Sequence, residues 1–272
     1  MLKEMTLDGT FTDKVAVAIE RIRFHHDRKN PTTYLAFGGG KDSVVVYDLA
    51  KRAGVPIEAH FHFTTVDPPE LTRFVFDNYP EVIVDRPCVT MTHRGEDPKV
   101  IKSMFQLIEF KHMPPTRGVR YCCEVLKEYG GRGRVCITGV RWEESNARRQ
   151  RRLYERCSRN DDTYYLNPII EWTEKEVWEY IYRNKLPYCR LYDEGFKRIG
   201  CIMCPKASVE QREFEAKRYP KFYNAYMRAF ERMLSHKPKH QVLQWRDAKD
   251  VMHWWMYEKH FDPCSEQCEL FG

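Results

Sequence analysis

The sequence predicts an α/β fold: a parallel five-stranded sheet flanked by helices, with a helical C-terminal extension. Three observations carry this. Short apolar runs alternate with stretches at helical spacing, as at Thr32 to Phe37, Ile57 to Phe63 and Val135 to Thr138. The first run ends in three glycines, Gly38-Gly39-Gly40, and a helical run follows at once. The 272 residues suffice for one such domain and an appendage. Strands that alternate with helices make a parallel sheet with right-handed crossovers, and such sheets bind ligands at the carboxyl ends of their strands.

Taken in order, Phe11 to Arg23 reads as an opening helix. Thr32 to Phe37 is the first strand, and Val44 to Arg52 the helix after the glycines. Ile57 to Phe63 is the second strand. It runs into Val66-Asp67-Pro68-Pro69, where Asp67 serves as a helix N-cap, as a contact to a nucleotide ribose or base, or as both. Helix Leu71 to Asn78, strand Val82 to Val84 and helix Ile101 to Phe110 come next. Tyr121 to Tyr129 is helical and is ended by the glycines from 130 to 133. Val135 to Thr138 and Tyr164 to Ile170 are the remaining strands. Thr173-Glu174-Lys175-Glu176 is a capping box that opens a helix to Asn184. Leu186 to Ile199 is an aromatic-rich loop. Beyond Pro205 only helices follow: Ser208 to Arg218, Lys221 to Leu234 and Gln241 to His260. The boundary therefore falls near 205, with a nucleotide-binding domain over 1–205 and a helical extension with a cysteine-containing tail over 206–272.

Composition narrows the class. A hydrophobic fraction of 42% supports a packed core, and 31% charged residues favour solubility. The net charge of +6 suits an anionic ligand. The first residues show no apolar signal segment, and no run approaches the length of a membrane span. Ten cysteines in such a chain point to metal ligation or thiol chemistry in a reducing cytoplasm, not to a disulfide framework.

The stretch with the most chemistry is Gly38-Gly39-Gly40-Lys41-Asp42-Ser43. A strand, a glycine loop and a helix N-terminus together make an oxyanion site: the backbone approaches phosphate or sulfate, and the helix dipole favours the charge. Lys41 would add a positive charge and Ser43 a hydroxyl. The spacing fits neither the Walker A nor the Rossmann pattern. It resembles the PP-loop of the N-type ATP pyrophosphatases and the phosphoadenosine phosphosulfate (PAPS) reductase family, with Gly38 where that family usually has serine. The resemblance covers roughly residues 30 to 206. It implies an adenine-nucleotide α-hydrolase-like sheet of strand order 3-2-1-4-5.

Cys122-Cys123 and Cys201-Ile202-Met203-Cys204 form a second constellation. The Cys-x-x-Cys pair is a routine ligand spacing. Adjacent cysteines diverge, so both bind one centre more easily when it is a cube with a separate iron for each thiolate than when it is a tetrahedral zinc. Zinc and free buried thiols remain the alternatives. The whole pattern resembles the iron–sulfur sulfonucleotide reductases, which implies a [4Fe–4S] cluster on Cys122, Cys123, Cys201 and Cys204 with Lys127 beside it. Cys88, Cys136, Cys157 and Cys189 read as ordinary core or surface residues.

Thr138-Gly139-Val140-Arg141 begins at a strand end. It opens an arginine tract of Arg141, Arg148, Arg149, Arg151, Arg152, Arg156 and Arg159. Guanidinium forks match phosphate and sulfate oxygens. The segment resembles the family's Thr-Gly-x-Arg-x-x-Glu-Ser, which makes Gly139, Arg141 and Arg148 candidates for holding the sulfonate or phosphates. The rest of the tract reads as a solvated face or a nucleic-acid contact. In the tail, Gln267-Cys268-Glu269-Leu270 loosely echoes the mobile catalytic cysteine motif of PAPS and adenosine phosphosulfate (APS) reductases. Cys268 is thus the expected nucleophile, and Cys264 a resolving thiol.

Three functions follow. The first is an APS or PAPS reductase using a thioredoxin-like reductant. The second is an ATP pyrophosphatase and sulfurtransferase, with Mg2+, that takes sulfur from a cysteine desulfurase and acts on nucleic acid. The third is a redox-sensing nucleotide-binding module. Self-association is compatible with each.

Overall fold

The computed structural model describes residues 2–5, 11–158, 162–236 and 245–258. The chain divides into two compact units, each assembled from separated segments. One takes Met1–Phe63, Pro69–Asp85 and Glu128–Ile199; the other takes Thr64–Pro68, Arg86–Lys127 and Gly200–Gly272. The last passage into the second unit, at Gly200, lies close to the boundary expected near 205. That unit also draws in two earlier segments, which a single cut in the sequence does not convey.

The first unit is built on a six-stranded sheet. Its order is Ile83–Asp85, Ile57–His62, Thr33–Ala36, Val135–Ile137, Tyr164–Leu166 and Tyr154–Arg156. The first five strands are parallel and reproduce the 3-2-1-4-5 order. The sixth, Tyr154–Arg156, is antiparallel to Tyr164–Leu166 and corrects the five-stranded expectation. It lies inside the arginine tract, where alternating charge hides the β pattern.

One face of the sheet is apolar: Leu35, Ala59, Phe61, Ile137 and Leu166 are all buried. Helix Lys41–Ala53 packs against helices Lys14–His25 and Glu174–Arg183. It buries nine of its residues, among them Val44, Val45, Val46, Leu49 and Ala50. The helices start where their caps dictate. The Asp13 carboxylate accepts from Val15 N–H, and Thr173 and Glu176 form the expected capping box. Gly54, at φ 70°, closes the Lys41–Ala53 helix in the left-handed conformation that glycine adopts without strain.

Among the described residues, the second unit has a hairpin, Val89–Met91 with Lys99–Ile101, and five helices. Met104–Lys111 packs on Pro220–Ser235, and Ala248–Tyr257 packs on Pro220–Ser235 and Val209–Arg218. Ser103, Ser208 and Asp247 cap three of them through their side chains. Leu107, Ile108, Phe230, Met233 and Trp255 share one buried core. The tryptophans of the last helix are therefore packing residues. Among the described residues, no helix is long and apolar enough to cross a membrane.

Candidate functional site

The glycine loop stands at the carboxyl end of the central strand, Thr33–Ala36. Gly39 adopts φ 69°, and a Cβ there would lie 2.7 Å from Val75 Cγ2 and 2.8 Å from Leu71 Cδ1. Both conformation and space demand glycine. Gly40 is the N-cap of helix Lys41–Ala53 and provides no side-chain cap. Val44 N–H makes the first helical bond, to the Gly40 carbonyl at 3.0 Å. The backbone N–H groups of Gly39, Gly40, Asp42 and Ser43 have no partner among the described residues. They leave a set of donors at the positive end of a helix dipole. Gly139, at the end of the neighbouring strand, comes so close that its Cβ would lie 3.0 Å from the Asp42 carbonyl carbon.

The side chains of the loop are engaged within their own unit. Lys41 is buried, with Nζ 3.4 Å from Glu174 Oε1 and 3.9 Å from Asp42 Oδ2; it also donates to the Lys197 carbonyl at 3.3 Å. Lys41 N–H donates to the Tyr192 hydroxyl at 3.0 Å. Ser43 donates its hydroxyl to the Gly40 carbonyl at 2.8 Å, so its proton stiffens the loop.

Arg141 is only 2% exposed. Its Nε donates to Asp42 Oδ1 at 2.6 Å, and its Nη1 to Glu143 Oε2 at 3.0 Å and to the Trp172 carbonyl at 3.1 Å. Burial pushes the Asp42 carboxyl above its ordinary range, with Arg141 and then Lys41 opposing that rise. Arg148 pairs with Glu144, and Arg151 with Glu155. Arg149 and Arg152 are exposed and form no ion pair among the described residues. Arg159 lies outside the described residues, as do Cys264 and Cys268.

The cysteines of interest all belong to the second unit, together with Asp67 and Lys127. Cys122 and Cys123 share a hydrogen bond, and Cys122 also feels Cys201 and Cys204. Arg120 Nη2 donates to Cys123 Sγ at 3.1 Å. Thr64 Oγ1 lies 3.6 Å from Cys201 Sγ. Hydrogen bonding to its neighbour, joined by Arg120 and Lys127, draws the Cys123 thiol down, while Cys122 is pushed up.

Asp67 is 4% exposed. Its Oδ2 accepts from Thr64 N–H at 2.6 Å and from Thr64 Oγ1 at 2.8 Å. The carboxylate thus braces its own segment and does not take up the N-cap position expected from sequence. Its Oδ1 lies 3.9 Å from Lys127 Nζ. Burial would lower the Lys127 ammonium, but Cys201 and Asp67 outweigh it and hold the group above its usual range. The backbone joins these parts, because Ile202 N–H donates to the Val66 carbonyl at 2.8 Å.

Among the described residues, no three His, Cys, Asp or Glu side chains are gathered tightly enough for one metal ion. Four free thiols that nonetheless influence one another fit a centre that gives each thiolate its own iron better than a single tetrahedral zinc. The cations beside them suit thiolates.

Sequence reasoning missed Glu174 and Tyr192, which hold Lys41, as well as Thr64 and Arg120. Glu174 was legible only as part of a capping box, and Tyr192 only as one aromatic among several. Their approach to the loop comes from tertiary structure.

A strand, a glycine loop with open amides and a helix, set in a parallel sheet, define a PP-loop nucleotide-binding domain. The sequence profile of the phosphoadenosine phosphosulfate reductase domain matches residues 32–207, and the chain belongs to that family. An uncharacterised protein of Methanocaldococcus jannaschii is 32% identical over 75% of this chain and 49% of its own length. The adenosine 5'-phosphosulfate reductase of Lysinibacillus sphaericus is 25% identical over 74% of this chain and 85% of its own. The chain spans about half the length of the first relatives it matches. The phosphoadenylyl-sulfate reductase of Candida auris, in a phosphate complex, has a TM-score of 0.48 at 20% identity, over 68% of this chain and 87% of that one.

Proposed function

We propose that the chain is a sulfonucleotide reductase that converts APS or PAPS to sulfite and the adenosine nucleotide. The observation that carries this reading is the set of open backbone amides on the glycine loop, in a chain whose family is named for that chemistry. The amides of Gly39, Gly40, Asp42 and Ser43 receive the phosphate or sulfate oxygens. Arg141 acts from behind, fixing Asp42, and Lys41 supplies positive potential from its buried place beside Glu174. Asp67 keeps Lys127 oriented.

Cys122, Cys123, Cys201 and Cys204 would hold the [4Fe–4S] cluster, which when bound supplies a charged body within the second unit. Cys268 is assigned the attack. Its thiolate bonds to the sulfur, the sulfur–oxygen bond to phosphate breaks, and the nucleotide leaves. One thiol of a thioredoxin-like partner then attacks the cysteine sulfur and sulfite departs; the partner's second thiol breaks the resulting mixed disulfide, which frees Cys268 and leaves the partner as a disulfide.

The exposed Arg149 and Arg152 favour one alternative: an ATP pyrophosphatase that passes sulfur from a cysteine desulfurase to nucleic acid, its basic tract lying along the phosphate backbone. One assay separates the two. Protein purified without oxygen receives APS, PAPS or ATP with Mg2+ and a thioredoxin-type reductant, and sulfite and pyrophosphate are quantified. The reductase reading expects sulfite, abolished in Cys268→Ser. Pyrophosphate from ATP, with no sulfite from either sulfonucleotide, would reverse the assignment.

A further inference from the structure

The turn that carries Cys201 and Cys204 is held by residues beyond the matched region, which ends at 207. Cys204 N–H donates to the Cys201 carbonyl at 3.2 Å and closes a turn with Ile202 and Met203 at its centre. Met203 stands at φ 57°, whereas Ile202 has no positive φ. That is the pattern of a type II turn, whose second central position is normally glycine or asparagine. Methionine carries a Cβ and enters this left-handed conformation only where its surroundings impose it. A type I turn would relieve Met203 by a flip of the central peptide, the one that joins the Ile202 carbonyl to the Met203 N–H.

Both ends of that peptide are taken. Met203 N–H donates to Glu215 Oε2 at 2.6 Å, and the Tyr226 hydroxyl donates to the Ile202 carbonyl at 3.2 Å. Glu215 is 6% exposed and Tyr226 1%. Gln211 donates to Glu215 Oε1 at 2.8 Å, and no cation pairs with Glu215 among the described residues. A buried carboxylate is costly, and the charge-assisted bond to the turn amide is what this one makes. An ionised carboxylate accepts and cannot donate, so a flipped peptide would set the Ile202 carbonyl oxygen against it. Arg212, on the same helix, is 2% exposed and forms no ion pair among the described residues. Its Nη1 donates to the Trp255 carbonyl at 2.6 Å and docks helix Val209–Arg218 on Ala248–Tyr257.

We propose that Glu215 is a positioning residue of the cysteine centre: its carboxylate, with the Tyr226 hydroxyl at the other end of the same peptide, locks the turn on which Cys201 and Cys204 are presented. Helices Val209–Arg218 and Pro220–Ser235 thereby belong to that centre although they lie outside the matched domain. What the turn holds rests on the iron–sulfur reading; that the turn is locked does not.

The test uses the full chain as wild type, Glu215→Leu, Glu215→Gln, which keeps an acceptor oxygen, and Tyr226→Phe. Amide exchange is followed at Met203 and across helix Met104–Lys111 in iron-free protein. Iron release into a ferrous chelator is followed after loading with iron and sulfide without oxygen. Glu215→Leu should speed both Met203 exchange and iron release by about tenfold or more, and Glu215→Gln should stay within about threefold of wild type. Tyr226→Phe should fall between them, and Met104–Lys111 should be unchanged in all. Equal acceleration at Met203 and Met104–Lys111, no rescue by Glu215→Gln, or wild-type exchange at Met203 in Tyr226→Phe would overturn the inference. A wild type that takes up no iron and sulfide would sink the iron–sulfur reading and leave Met203 exchange to decide this one. A loaded chain with Met203 exchange and iron release both indifferent to residue 215 would sink this inference alone.

Discussion

Lys14, Lys41 and Arg141, buried cations of the first unit, all face carboxylates: Lys14 meets Glu176, Lys41 meets Glu174 and Asp42, and Arg141 meets Asp42 and Glu143. Arg212, the buried cation of the second unit, meets none within ion-pair distance, and Arg120 and Lys127 sit beside thiols. The glycine loop is electrostatically complete without a ligand and offers amides to one. The cysteine group sets cations beside free thiols. A site of the first kind is preorganised by folding.

The strongest way to break this contrast is Cys204→Ser. The account expects loss of essentially all cluster iron, read by iron and sulfide analysis and by visible absorbance, with nucleotide binding to the glycine loop retained. Next comes Arg141→Met, which leaves Asp42 largely buried without its main partner. It should destabilise the chain by about 3–5 kcal/mol, measured by urea denaturation, with no effect on the amount of iron bound by folded protein. Gly39→Ala forces a Cβ against Val75 and Leu71 at a positive φ, and should cost about 1–3 kcal/mol while weakening nucleotide affinity in a calorimetric titration. Tyr192→Phe removes the acceptor for Lys41 N–H and should cost about 1 kcal/mol.

The smallest effect is a pH dependence. The hydrogen bond from Arg134 holds the Glu58 carboxyl below its ordinary range, although burial opposes this. A depressed carboxyl stabilises the fold above the unfolded-state value and loses that contribution as pH falls through the folded-state value. With solvent screening discounted, the term is about 0.5 kcal/mol. Melting curves should show wild type exceeding Glu58→Gln at neutral pH, with the gap closing in acid.

Much of this was legible in the sequence, for local reasons. The glycine loop is contiguous, so its strand, turn and helix appear together between Thr33 and Ala53. The parallel strand order was implied by the family resemblance and is present. The sixth strand was hidden because Tyr154–Arg156 is short and sits among charges. Arg141 and Lys41 were legible as cations near the loop. That their charges turn inward, to Asp42, Glu174 and the Trp172 carbonyl, depends on segments about 30 to 130 residues away in sequence. Asp67 misled as a helix cap because its spacing before the prolines is right, while its carboxylate is taken by Thr64. Arg212 had no signal at all: one arginine in a charged helix reads as solvated until its burial is known.

The most direct test of the contrast is amide hydrogen exchange on the iron-loaded chain before and after anaerobic removal of iron with a chelator. The account predicts faster exchange over 200–218 on removal, with 38–54 unchanged. Equal loosening of both stretches, or no change at 200–218, would contradict it.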